Sequence, residues 1–298
     1  MFIYLINISV CLNVLNQRAV AMFNSNDIKL EFIQSGQMAL PRTMDGYIHR
    51  KATPELIVAQ AYEGHYELSA GAEFAALRSG ECFITRPDQP LEIWHYVDPD
   101  SGIFKSRWAH LKVSFIGGLD LFSLLELPLH PPESFSHSAG EILIKLIAMN
   151  AEDNLQSAVR RISLTFELLD LLIAISRPSP HFEIFIKNAE KLLPLLEFIH
   201  HNLAQPASVN VLAAKLNMSR AAFYAFFMKN IGIPPARYIE EQRMKAAAEK
   251  LRIPGKYSVN ETAELLGFKN QFHFSKVFKR IYQMSPAQYR KSRTENMW

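Results

Sequence analysis

The sequence predicts an α+β chain of two domains: an N-terminal β-barrel of jelly-roll type with attached helices, then an all-α domain with two helix-turn-helix motifs. Three observations predict it. Short strand patterns broken by Gly and Pro fill Leu56 to Phe115, and a unit of helix, tight turn and helix occurs twice between Ser208 and Tyr289. Charge also divides along the chain: residues 183–298 hold 18 Lys and Arg against 9 Asp and Glu, net +9, whereas residues 1–182 hold 14 against 20, net −6. A basic domain joined to a mildly acidic one predicts that only the former meets phosphate.

Residues 1–21 are an apolar extension without a basic n-region, and Arg18 follows the apolar run instead of preceding it. The run is shorter than the roughly 20 residues a membrane span needs. The expectation is that translation starts at Met22, or that the segment is a poorly ordered extension. Cys11 and Cys82 fit a reducing cytoplasm and cannot form a disulfide framework or a zinc site.

Residues 22–177 form the first domain. Leu56–Tyr62, His65–Leu68, Glu73–Leu77, Cys82–Thr85, Leu91–Val97 and Trp108–Phe115 alternate as strands, separated by Glu63-Gly64, Ala70-Gly71, Ser79-Gly80 and Arg86-Pro87. Apolar residues then recur at helical spacing over Ser138–Met149 and Leu155–Ser176. The second helix is apolar on more of its surface than one barrel needs to cover, so it packs either across its own barrel or against another subunit. Residues 178–184, with Pro178-Ser179-Pro180-His181, make the linker. Residues 185–298 form the second domain, opened by a supporting helix over Phe185–Asn202.

The repeat carries the strongest signal. Ser208-Val209-Asn210 recurs as Ser258-Val259-Asn260, with Ala213 matching Ala263 and Leu216 matching Leu266, at an offset of 50. The offset then becomes 51, matching Phe223 to Phe274, Phe227 to Phe278, Pro235 to Pro286 and Tyr238 to Tyr289. Ser208, Ser219 and Asn270 are predicted N-caps, and Ser258 with Glu261 a capping box. Pro235 suits a first helical turn and Pro254-Gly255 the stop of one long helix between the copies. The outward face of each second helix is polar or basic, a shape suited to a DNA major groove. Gln271 can pair with adenine, Lys276 with guanine, and Phe272 can meet a thymine methyl. Arg220, Tyr224 and Ser275 share these faces, and Lys229, Lys279, Arg280 and Arg290 are candidate phosphate contacts.

Ala263, Gly267-Phe268, Gln271, Phe274-Ser275, Val277-Phe278-Lys279, Ser285-Pro286 and Tyr289-Arg290 resemble the DNA-binding domain of the AraC/XylS family of bacterial transcription regulators. More weakly, Glu63-Gly64, Gly80, Pro87 and Trp108-Ala109-His110 are similar to the cupin-like sensor domain that precedes it in many members. The resemblance implies a cytoplasmic, effector-responsive regulator, activating through RNA polymerase, that binds promoter DNA as a homodimer, with no cofactor, metal or membrane partner. It implies base readers at Ala221, Tyr224 and Ala225 in the first reading helix. Two alanines offer no hydrogen bonds, so the second helix-turn-helix is expected to carry more specificity, the first reading methyl groups or shape. It also implies an effector site at Arg50, Tyr96 and His110, with Trp94, Trp108 and Lys112 beside them, a mixture suited to a sugar. Gln283 and Asn217 stand where turn glycines are usual, and Thr262 where a larger apolar residue is usual, predicting an altered turn and looser packing. Two alternatives stay open: a cupin-type metal enzyme with a DNA-binding appendage, and a ligand-independent regulator whose barrel only dimerises. Against the former, His65, Glu92, His95 and His110 are scattered and no His-x-His occurs.

Overall fold

The computed structural model describes residues 28–51, 53, 55–87, 89–115, 119–152, 154–253 and 255–294. The expectations for residues 1–21, Met22 and Cys11, and for Pro254, lie outside the described residues. The chain divides into two compact units. One holds the described residues up to Ser114 together with Leu121–Pro178; the other holds Phe115–Asp120 and the residues from Ser179 onward.

Among the described residues, eight longer strands build the two main sheets of the first unit: β1 (Lys29–Pro41), β2 (Tyr47–Lys51), β3 (Leu56–Glu63), β4 (His65–Ala70), β5 (Glu73–Leu77), β6 (Cys82–Thr85), β7 (Leu91–Tyr96) and β8 (Ile103–Phe115). They form two antiparallel sheets, β1-β8-β3-β6 and β2-β7-β4-β5. Period-2 alternation explains the shared core: β4 buries Tyr66, Leu68 and Ala70, and β7 buries Leu91 and Ile93. These meet Ile57, Ala59 and Ala61 of β3, Phe83 of β6 and Phe104 of β8. The sheets are thus joined by side-chain packing, and none of the ladders between the described strands links one sheet to the other. The jelly roll is a sandwich rather than a hydrogen-bonded cylinder.

Helix α1 (Glu133–Ala148) and helix α2 (Leu155–Ile175) belong to the same unit. Gln60 docks α1: its amide donates to the Ser136 carbonyl at 2.9 Å, and Arg107 Nε donates to the Gln60 carbonyl at 2.7 Å. A Cβ at Gly140 would overlap the Gln60 amide, so a larger residue there would have to displace that side chain. Pro178, the expected first residue of the linker, lies with Arg177 in a short strand that pairs with Leu125–Glu126.

The second unit is helical: α3 (Phe182–His201), α4 (Val209–Lys215), α5 (Arg220–Ile231), α6 (Pro235–Arg252), α7 (Val259–Leu265), α8 (Gln271–Tyr282) and α9 (Pro286–Thr294). Helix α3 begins three residues before the expected Phe185. Helix α6 runs 18 residues, about 27 Å, between the two copies. It buries Met244, Ala247, Ala248 and Leu251 against Phe274, Val277 and Phe278 of α8.

Candidate nucleic-acid interface

Each reading helix is set by its caps and turn. The Ser208 hydroxyl accepts from Val211 N–H and the Ser219 hydroxyl from Ala222 N–H, while the Asn270 carbonyl accepts from His273 N–H at 2.8 Å. Ser258 and Glu261 form the reciprocal capping box, and the backbone N–H of Ser258 holds the Glu261 carboxyl below its ordinary pKa. Both turns close by the same pair of backbone bonds. Met218 N–H reaches Ala213 and Asn217 N–H reaches Ala214; fifty residues on, Phe268 N–H reaches Ala263 and Gly267 N–H reaches Glu264. This is a Schellman ending, which needs a left-handed residue after the C-cap. Asn217 supplies it at φ 54° and Gly267 at φ 71°.

The packing repeats as well. Phe223 and Phe227 lie 5.7 Å apart between ring centres, and so do Phe274 and Phe278. Tyr238 meets Phe227 edge-on at 5.5 Å, and Tyr289 meets Phe278 edge-on at 5.4 Å. Gln283 adopts φ 56°, and its side-chain amide donates to the Arg280 carbonyl at 2.9 Å, so the turn forms without glycine. Thr262 does not loosen the second copy: it is fully buried, with its hydroxyl donating to the Ser258 carbonyl at 2.8 Å.

With Phe223, Phe227 and Asn230 turned inward, α5 presents Ala221, Tyr224, Ala225 and Lys229 outward, and Arg220 is exposed at its start. With Phe274, Val277 and Phe278 inward, α8 presents Gln271, Phe272, Lys276 and Lys279, with Ser275 half-buried beside them. Phe272 is 88% exposed and Tyr224 47%. Two of the expected phosphate contacts also have protein partners. Arg280 is ion-paired with Glu240 of α6, which ties α8 to the helix between the copies. Arg290 is half-buried and donates to the Tyr257 carbonyl. Sequence reasoning also missed Arg243, which lies over the Phe268 ring at 3.9 Å and donates to the Leu266 carbonyl at 3.2 Å, a cation at the C-terminal end of α7. Burial lowers its pKa. No spacing marks this role in the sequence, because the partner is a backbone carbonyl.

The six effector candidates do not converge. Arg50, Trp94 and Tyr96 share the outer face of the smaller sheet: Arg50 pairs with Glu92 at 2.6 Å, Trp94 stands opposite Glu67, and the Tyr96 hydroxyl donates to Glu67 at 3.2 Å. Period-2 alternation puts Trp108, His110 and Lys112 on the opposite, inward face of β8, where Trp108 packs on the core and lies across Gly36. His110 is buried, with its Nδ1 3.4 Å from Gln34 Nε2 and 3.6 Å from a Glu55 oxygen. On β2 the inward residues are Tyr47, His49 and Lys51, opposite His95, Ile93 and Leu91. Tyr47 and His49 carry no signal in the sequence, because β2 is short and does not alternate clearly between polar and apolar residues. Burial lowers the His95 pKa to about 4, so its imidazole is neutral at pH 7. Among the described residues, no three His, Cys, Asp or Glu side chains are grouped so as to hold a metal ion, and no helix is long and apolar enough to cross a membrane.

A helix-turn-helix domain family matches residues 212–292. The Msm operon regulatory protein of Streptococcus mutans is 31% identical over 240 residues, 78% of this chain and 83% of that protein. The raffinose operon transcriptional regulatory protein RafR of Pediococcus pentosaceus is 25% identical over 249 residues, 79% of this chain and 86% of that one. An uncharacterized HTH-type transcriptional regulator of Haemophilus influenzae is 41% identical over 93 residues, 30% of this chain, and the match spans only 31% of that protein.

Proposed function

The chain belongs to the AraC/XylS family of transcription regulators, and from that premise we propose that it is a cytoplasmic, non-enzymatic activator that binds promoter DNA sequence-specifically in response to a small effector. The observation that carries the reading is the duplicated pair of outward helix faces on α5 and α8, held by matched caps, turns and aromatic contacts in a net basic domain. Ala221, Tyr224, Ala225, Gln271, Phe272, Ser275 and Lys276 face the bases in this reading, and Arg220, Lys229 and Lys279 the phosphates. The Arg280–Glu240 pair makes Arg280 a strut that sets the angle of α8.

The effector in this reading is a sugar taken into the sandwich at Trp108 and His110, with Gln34 and Glu55 beside them. An indole face suits C–H surfaces, and the polar groups suit hydroxyls. The raffinose operon regulation named for one relative favours a saccharide. Homodimerisation would use α2, which leaves Leu155, Val159 and Ile162 exposed at i, i+4 and i+7, the spacing of a helix seam. Contact with RNA polymerase would complete activation.

Thermal shift of the full chain against a panel of mono- and oligosaccharides, raffinose included, tests the effector. Stabilisation by a sugar, lost in Trp108→Ala, is expected. Shifts by none of the sugars, in a protein that still binds promoter DNA, would leave the sandwich as a dimerisation module.

A further inference from the structure

Apolar groups occupy base-facing positions on both reading helices. On α5 the stripe directly opposite the buried Phe223 and Phe227 is Ala221 and Ala225, one turn apart, with the exposed ring of Tyr224 beside it. Neither alanine can donate or accept a hydrogen bond. On α8 the equivalent stripe opens with Phe272, the most exposed large apolar side chain among the described residues, one turn before Lys276. A phenyl ring held almost wholly in water at the start of a helix, beside two free-facing cations of a basic domain, is a surface waiting to be dried by a partner.

In a major groove the only apolar feature of a base edge is the thymine 5-methyl group, and Ala and Phe are the side chains that pack on it. We propose that the operator is specified largely by thymine methyl groups: Ala221 and Ala225 pack on thymines in the segment read by α5, and Phe272 on a thymine in the segment read by α8, with Gln271 and Lys276 adding polar readout there. This rests on the reading of α5 and α8 as groove-entering helices. The small alanines let the α5 backbone approach the methyl groups closely, whereas the bulky Phe272 reaches its target from a helix standing further off.

The test uses the full-length chain and a duplex recovered by selection from random-sequence DNA. Its thymines are replaced by deoxyuridine, which removes the methyl group and leaves pairing intact, first in one protected segment and then in the other. One buried methyl is worth a factor of about 4 in affinity, so each thymine in contact is expected to weaken binding about fourfold on replacement. Phe272→Ala protein should no longer distinguish thymine from deoxyuridine in the segment read by α8, yet keep the distinction in the segment read by α5. Equal binding to the thymine and deoxyuridine duplexes would overturn the methyl proposal while leaving the DNA-binding reading intact. Recovery of no discrete sequence by the selection would overturn that reading itself, and the proposal with it.

Discussion

At the scale of single residues, Gly267 has two separate reasons to be glycine. Its φ is 71°, and a Cβ there would overlap the carbonyl oxygen of Ala204. Gly80 has the first reason without the second, since nothing lies within 4 Å of its would-be Cβ at φ 90°. Gly80→Ala should therefore cost about 1 kcal/mol, the strain of the left-handed region alone, and Gly267→Ala about 3 kcal/mol or more. Denaturant unfolding of the two variants checks the difference, and equal costs would mean the Ala204 loop simply yields. His95 gives the pH counterpart. Burial holds its pKa at about 4, while the unfolded chain takes up the proton near the ordinary value of 6.5. The unfolded state therefore binds more protons between these values, so the stability contributed by neutral His95 is complete above pH 6.5 and is lost as pH falls towards 4. The slope is about 1.4 kcal/mol per pH unit. Melting at pH 7.5 and pH 5.0 should show a smaller difference for His95→Phe than for the unsubstituted chain; the same difference in both would remove His95 as the cause. The N-caps at Ser208, Ser219, Ser258 and Asn270 were legible in the sequence because a cap is a local bond over two or three residues. The Arg280–Glu240 pair was not legible, because its partners are 40 residues apart and meet only after α6 and α8 pack.

At the scale of elements, the repeat was legible because both copies meet the same local requirements at each position. Strand β1 was missed for the opposite reason. Its sequence Lys29–Pro41 sits at a sheet edge, mixes polar and apolar residues without alternation, and carries a register shift between Phe32 and Gln34. Missing β2 hid the inward Tyr47 and His49, and without strand parity Arg50, Trp94 and Tyr96 could not be separated from Trp108, His110 and Lys112. Two element-level predictions follow from the helices. Ser258→Ala removes one half of the capping box and should cost about 1 kcal/mol in unfolding free energy; no measurable change would mean water replaces the hydroxyl at no cost. Placing Glu at Val159 and Ile162 of α2 should convert a dimer to a monomer in sedimentation velocity and remove the concentration dependence of the melting temperature, while the monomer still folds because both side chains are exposed in the single chain. A dimer that persists would move the interface elsewhere.

At the scale of the whole molecule, the division of charge is the property that most directly connects sequence to function. Arg220, Lys229, Lys276 and Lys279 all stand exposed on the two outward faces. If Arg220, Lys229 and Lys279 neutralise phosphates, log affinity should fall against log salt with a slope steeper by about 2.7 than in a chain lacking them, and Lys279→Ala alone should reduce the slope by about 1. The two-domain order and the helical repeat were readable from composition and spacing. The division after Pro178 and the sandwich interior depend on contacts between segments remote in sequence. The measurement that tests the central claim most directly is a footprint of the purified chain on the DNA flanking its own gene. The account predicts two protected major-groove segments about one helical turn, ~34 Å, apart, with protection altered by a saccharide. Diffuse, salt-sensitive protection with no discrete segments would contradict it.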